Sequence, residues 1–230
     1  MGADQVPVWQ FGRGRARQAS VRSLLRQTSI ALARCPDRRQ DGAGRAAPGR
    51  TLVLSRVRWV PRERLDSLAR RYVQPTDVVL DVGPGIRPQA LVRARAHICL
   101  DAHRPYLDRV RDRADGGRFV LLHGAWRVAM AMLPDRSVDS VIALDVIEHF
   151  TPEDGERFLA EAARVARRQI VLFTPIGFYP QSHTSGEPDR WGLDGGEWQS
   201  HRSGWTPDNF GSDWRVLERR PSNHAAVLAG

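Results

Sequence analysis

The stretch Leu80-Asp-Val-Gly-Pro-Gly-Ile86 ends an apolar run with an acid and then sets Gly83 and Gly85 around Pro84. An ordinary turn needs one glycine at most. Two in alternation let the main chain itself come close to a small molecule. A second acid, Asp101, closes the next apolar run, 20 residues beyond Asp81. A carboxylate there can accept hydrogen bonds from both hydroxyls of a ribose, charge-assisted and therefore strong. The chemistry these residues predict is the capture of an adenosine-bearing ligand by bare main chain and one carboxylate.

Such residues work only at the ends of parallel strands, and the surrounding sequence supplies them. Strand-like runs fall at 77–82, 97–101, 119–124, 138–145 and 169–175, with helix-capable stretches at 88–95, 103–113, 125–132 and 152–168. A further helix is expected from Pro61, carrying Leu65, Leu68 and Tyr72 on one side. The 152–168 stretch is the clearest helix: Thr151 and Asp154 form a capping box, Pro152 takes the first turn, and Phe158, Leu159, Ala162, Ala163 and Val165 build one apolar face. Strands that are apolar almost throughout and alternate with helices imply a parallel sheet covered on both sides. The fold class expected is α/β, a doubly wound and mostly parallel sheet. In such sheets ligands sit at the carboxyl ends of strands, where strand order reverses.

The flanks read differently. Residues 1–50 look like a basic, partly flexible extension: a basic helix over residues 12–35, with Val21, Leu24, Leu25, Ile30 and Leu32 as an apolar stripe, then a Pro/Gly/Arg-rich linker. Residues 51–230 form the main domain. Within it, 176–205 carries few helix or strand signals but holds Trp191, Trp198 and Trp205, as a lid or binding loop would. A short helix at Thr206-Pro207 and two closing strands, WRVLERR and HAAVLA, complete the chain. The net charge of +9 is concentrated in residues 1–74, with 16 Arg against 5 acids; residues 75–230 have 19 Arg against 21 acids. The main domain therefore has no obvious electrostatic footprint for a phosphate backbone. No apolar run is long enough to span a bilayer. Cys35 and Cys99 make no metal or disulfide framework, and a reducing cytoplasm is expected.

Spacing narrows the ligand. A dinucleotide fingerprint requires a third glycine three places after Gly85, where Pro88 stands. A phosphate-cradling P-loop requires lysine, and the chain has none. A cofactor with a ribose and no phosphate fits better, and S-adenosylmethionine is one.

The ordered motifs resemble those of the class I S-adenosylmethionine-dependent methyltransferases, of the small-molecule type. VVLDVGPGIRP looks like the family's first motif, CLDAH like the second, and LLHGA stands where the third would be. LPDRSVDSVIALDVIEHF resembles the fourth, VARRQIVLFTP the passage into the fifth strand, and HRSGWTPDNFG a segment before the last two strands. The resemblance covers roughly residues 60–230 and implies a seven-stranded Rossmann-like sheet with S-adenosylmethionine as cofactor. It implies that Asp81 orders the glycine loop, that Gly83 and Gly85 pack against the methionine moiety, and that Asp101 holds the ribose with Ala102 beside it. Gly124 and Ala125 would flank the adenine, and Asp145 would sit beside the cofactor. Many members have an acid where this chain has Ala125, so the adenine contact is left to His123, to a backbone carbonyl or to nothing.

Methyl transfer needs alignment above all, and a hydroxyl acceptor usually also needs a base. The candidates are His149, His201, His183 and Asp145, with His149 expected to titrate usefully near neutrality. The alternative for Glu148 and His149 is that they only orient their loop. Trp191 and Trp198 either pack or form an acceptor wall. His183 and His201, with Asp189, Asp194 and Glu197, show no ligand pair at helical or turn spacing, so no metal is expected. Three functions follow: methyl transfer to an oxygen or nitrogen of a small molecule; RNA methylation guided by the basic N-terminal arm; or a cofactor-binding, non-catalytic member.

Overall fold

A computed structural model describes residues 28–34, 57–60, 70–71, 73–113, 119–211 and 213–219. Among these, eight strands form one sheet: β1 (Thr28–Arg34), β2 (Val57–Val60), β3 (Val78–Val82), β4 (Ala96–Asp101), β5 (Phe119–His123), β6 (Val138–Leu144), β7 (Ala166–Pro175) and β8 (Trp214–Arg219). Their order is β2-β8-β1-β7-β6-β3-β4-β5. The five strands from β7 to β5 are all parallel and correspond to the five predicted runs. The chain moves outward from β3 to β5 and returns to place β6 beside β3. The order therefore reverses between β3 and β6, and the cleft opens at their carboxyl ends.

The central strands are buried because both faces are covered. Leu80, Val141, Ile142, Val171 and Leu172 are wholly inaccessible. Asp139 fixes where β3 begins, its carboxylate accepting the main-chain N–H groups of Asp77 and Val78 at 2.9 Å each. The described helices are α1 (Arg104–Arg113), α2 (Trp126–Ala131) and α3 (Pro152–Val165). Helix α3 starts as its sequence predicts: the Thr151 hydroxyl accepts the Asp154 N–H at 3.3 Å, and Phe158, Ala162 and Val165 are buried. It stops at Val165 because Ala166 pairs with Val138, and β7 takes the last residues predicted as helix.

Several expectations fail for identifiable reasons. Residues 88–95 form no helix. The Asp81 carboxylate accepts the Gln89 N–H at 2.8 Å, and the Gln89 amide oxygen accepts those of Leu91 and Val92 at 2.6 and 3.2 Å. Side chains thus satisfy main-chain groups that a helical turn would have engaged, on a segment already constrained by Pro84 and Pro88. The predicted basic helix fails over Thr28–Arg34, which pairs antiparallel with both β7 and β8. Its alternation of Ile30 and Leu32 with alanines suits a strand as well as a helix, and strand pairing on both edges decides. The remainder of that helix, most of the helix from Pro61 and the strand HAAVLA lie outside the described residues. The sheet has eight strands among the described residues instead of seven, and the helix at Thr206-Pro207 is a single 3-10 turn, Pro207–Asn209.

The 176–205 segment has little regular structure but is firmly docked. Trp205 is 4% exposed, and its ring lies against Gly155 of α3, where any side chain would collide with it. The Trp205 indole N–H donates to Ser203 Oγ at 2.8 Å. Asp189 is the second anchor: it accepts the Tyr106 hydroxyl and the N–H groups of Trp191 and Leu193, the latter two at 2.7 and 3.0 Å. His103 Nε2 reaches the Leu193 carbonyl at 2.6 Å. The segment is therefore pinned to α1 on one side and to α3 on the other.

Candidate functional site

A cavity of about 900 Å³ lies between the carboxyl ends of β3, β4 and β6 and the 176–205 segment. Its floor is the turn after β3. Gly83 and Gly85 have φ values of 62° and 57°, in the left-handed region where a side chain is strained. A Cβ on Gly83 would come within 2.7 Å of Val146 Cγ2, and one on Gly85 within 2.8 Å of Trp191 Cη2. The two glycines are thus required both by the turn and by what packs against it. The contact with Trp191 was not visible in the sequence.

Asp101 stands beside this turn. Its carboxylate accepts the N–H of Gly85 at 3.2 Å and that of His103 at 2.8 Å. Burial pushes its pKa up to about 6, against the lowering effect of those two bonds. Each oxygen retains acceptor capacity, since a carboxylate offers about four lone-pair sites. Asp81 lies deeper, 1% exposed, and is engaged by His97 Nε2 at 2.9 Å and by the Gln89 N–H. Its carboxylate ties the loop together. Behind it the Gln89 Nε2 is buried without a hydrogen-bond partner.

At the end of β5, the Gly124 N–H donates to the Asp101 carbonyl at 2.9 Å, and nothing lies within 4 Å of where a Gly124 Cβ would stand. Ala102, Gly124 and Ala125 line the cavity, together with Trp126 and Arg127. His123, weighed for the adenine contact, is not among the lining residues; its Nε2 faces the Ala102 carbonyl at 3.2 Å. Arg127 pairs with Asp154 at the rim.

The end of β6 is the most unusual stretch. Asp145 lines the cavity with a φ of 54°, a conformation that costs a non-glycine residue of order 1–3 kcal/mol and gathers at functional sites. The 3-10 turn Ile147–His149 follows. Glu148 is 2% exposed, accepts the Thr174 hydroxyl at 3.0 Å, and through its carbonyl accepts the N–H groups of Arg202 and Ser203. His149 donates Nδ1–H to the Ser200 carbonyl at 3.0 Å, and His201 donates Nδ1–H to that of Tyr179 at 2.7 Å. The two rings meet edge to face, centroids 5.0 Å apart. The expectation that His149 titrates near neutrality is corrected: burial pushes its pKa down to about 4, so the ring is neutral and a weak base. Glu148, His149 and His201 bring ligand-capable atoms within 4.8 Å of one another, a grouping the sequence reading did not find.

Trp191 and Trp198 both line the cavity. Trp191 packs on Gly85 and edge to face on Tyr106, centroids 4.9 Å apart, with the Arg190 guanidinium 4.4 Å from its own ring centre. Trp198 is 44% exposed at the rim. His183 lines the cavity too, but lies apart from the Glu148 group, 3.8 Å from Glu187.

Residues 80–173, from the middle of β3 into β7, match the family model described as a methyltransferase domain, less than half of the chain. The match spans the glycine turn, Asp101 and the end of β6. Residues 80–173 are thus similar to a methyltransferase domain. The cofactor expected from the sequence motifs is S-adenosylmethionine. The site fits it: a floor of main chain that a Cβ would fill, with a carboxylate at its side that still has acceptor capacity. No protein of curated function matches the chain significantly.

Partial likenesses to solved structures accompany the family match. The YcgJ protein of Bacillus subtilis is 22% identical, over 46% of this chain and 48% of that one, with a TM-score of 0.38. An S-adenosylmethionine-dependent methyltransferase of Mesorhizobium loti is 15% identical, over 56% and 61%, with a TM-score of 0.40. Phosphoethanolamine N-methyltransferase 1 of Haemonchus contortus is 19% identical, over 63% and 31%, with a TM-score of 0.41. The chain spans about half the length of the first solved structures it matches. At such identities and TM-scores these likenesses say nothing of the substrate. Among the described residues, no helix is long and apolar enough to cross a membrane.

Proposed function

We propose that the protein transfers a methyl group from S-adenosylmethionine to an oxygen or nitrogen of a small molecule held beneath the 176–205 segment. One observation carries this reading: the glycine turn, Asp101, Trp191, Trp198 and His201 all line one cavity, of about 900 Å³. That is near the upper end of small-molecule pockets, roughly 300–1,000 Å³, and has room for a cofactor and an acceptor together.

Bound S-adenosylmethionine supplies an electrophilic methyl group on a sulfonium. The chain's own part is alignment. Gly83 and Gly85 admit the amino-acid end of the cofactor to the main chain, and Asp81 holds that loop in place. Asp101 accepts from the ribose hydroxyls, with Ala102 beside it, and Gly124 and Ala125 border the base. Asp145, His149 and His201 face the acceptor. The pinned segment above excludes water from the space where the acceptor sits.

The test is a pair of measurements on the full chain. Calorimetric titration should give stoichiometric binding of S-adenosylmethionine. Methyl-labelled cofactor should then pass label to a library of small hydroxyl and amine compounds and leave total RNA unlabelled. Label in RNA, or RNA binding that weakens with salt and is lost when residues 1–27 are removed, would replace this reading with RNA methylation. The truncation stops at residue 27 because β1 begins at Thr28 and belongs to the sheet.

A further inference from the structure

Glu148, His149 and His201 stand at the acceptor side of the cavity in an arrangement that orientation of a loop does not require. Their ligand-capable atoms all lie within 4.8 Å of one another, and all three residues line the cavity. Each imidazole is fixed in the same way, through Nδ1 to a backbone carbonyl: Ser200 for His149 and Tyr179 for His201. A carbonyl only accepts, so each Nδ1 carries a hydrogen, and in the neutral ring Nε2 holds the lone pair. Metal-binding histidines are held by the same outer contact, which sets tautomer and ring direction together.

The third member is a carboxylate that is 2% exposed, with the Thr174 hydroxyl on one oxygen. Main-chain bonds stitch the two halves of the group together, since the Glu148 carbonyl accepts from Arg202 and Ser203 and the His201 N–H donates to Gln181.

We propose that Glu148, His149 and His201 bind one divalent first-row transition-metal ion beside the acceptor. Two imidazoles and a carboxylate suit zinc-type ions and leave positions open for a substrate oxygen. Tetrahedral ligand bonds of about 2.0–2.2 Å set donor atoms about 3.4 Å apart, so the three atoms, now within 4.8 Å of one another, close by at most about 1.5 Å. The role of the ion rests on the oxygen-acceptor reading above. It binds the acceptor hydroxyl and lowers its pKa, so that the proton leaves to water. The oxygen lone pair forms the new C–O bond, and the electrons of the breaking C–S bond stay on sulfur.

The experiment is a titration of chelator-treated full chain with Co²⁺, read by visible absorption and by metal analysis after dialysis. The same samples are titrated with S-adenosylmethionine. Expected are one Co²⁺ per chain with absorption bands of nitrogen and oxygen coordination, and weakening on the order of 100-fold or more in both His201→Ala and Glu148→Gln. Glu148→Gln keeps shape and hydrogen bonding where His201→Ala frees the Tyr179 carbonyl, and cofactor binding by either variant certifies its fold. A chain that binds cofactor but no stoichiometric Co²⁺ overturns the proposal, as do variants that titrate like the parent. In that case the three residues serve only to hold the loop, through the Ser200, Tyr179 and Thr174 contacts. Failure of cofactor binding would instead strike the methyl-transfer reading, and the two results are separate readouts.

Discussion

Asp101→Asn removes a charge that the free protein holds at a disadvantage. The carboxyl sits 8% exposed with a pKa raised from 3.8 to about 6, chiefly by burial. Because the folded value lies above the unfolded one, the contribution to stability is complete below pH 3.8 and is lost as pH rises through about 6. The loss at neutral pH is about 3 kcal/mol. Asparagine abolishes it, keeps an oxygen for one of the Gly85 and His103 amides, and turns an NH₂ toward the other, a cost of about 1–3 kcal/mol. The two changes nearly cancel, so the Tm of the cofactor-free variant should stay within a few degrees of the parent, at about 2–4 °C per kcal/mol. Cofactor binding has no such compensation. Losing a charged acceptor for ribose hydroxyls is worth about 1.5–3 kcal/mol, a Kd weaker by roughly 10- to 150-fold. Parent affinity should also fall as pH drops below about 6, and the variant should lack that dependence. Calorimetric titrations on both sides of that pH, with thermal unfolding of each cofactor-free protein, make the test. A variant that binds S-adenosylmethionine as tightly as the parent, or parent affinity that is flat through the window, refutes the ribose assignment.

Three other outcomes follow from the geometry. Gly85→Ala must hold a side chain at φ 57° and push Trp191 from 2.8 Å; about 1–2 kcal/mol of stability should go, whereas Gly124→Ala, with open space at its Cβ, should leave the unfolding midpoint unchanged. Tyr106→Phe deletes the hydroxyl bonded to buried Asp189; a loss of about 1–3 kcal/mol should appear as faster proteolysis within residues 176–205, and unchanged cleavage there would deny the anchor. Removing residues 1–34 takes away the strand between β7 and β8 and should abolish cooperative unfolding, while removal of 1–27 should preserve both unfolding and cofactor binding; equal behaviour of the two truncations would count against β1.

The parallel core was legible because doubly covered strands read as unbroken apolar runs, and the acids and glycines at their ends sit at spacings the fold imposes. Helix α3 was legible because Thr151, Pro152 and Asp154 announce its start locally. Contacts between distant segments leave no such trace. Nothing in the periodicity of TSIALAR says that it pairs with β7 and β8. The 88–95 segment reads as helix-capable, but Gln89 is 8% exposed and its side chain bonds the chain around it. The Trp191–Gly85 and Tyr106–Asp189 contacts and the Glu148, His149, His201 group each join residues from separate stretches that only the folded loop brings together. The low pKa of His149 has the same origin, since it follows from burial beneath that loop.

A crystal structure with S-adenosylhomocysteine tests the central assignment most directly. The account predicts the amino-acid end of the ligand against the main chain of Gly83 and Gly85, and both ribose hydroxyls about 2.5–3.0 Å from the Asp101 carboxylate. A ligand seated elsewhere in the cavity, with the ribose away from Asp101, would contradict it.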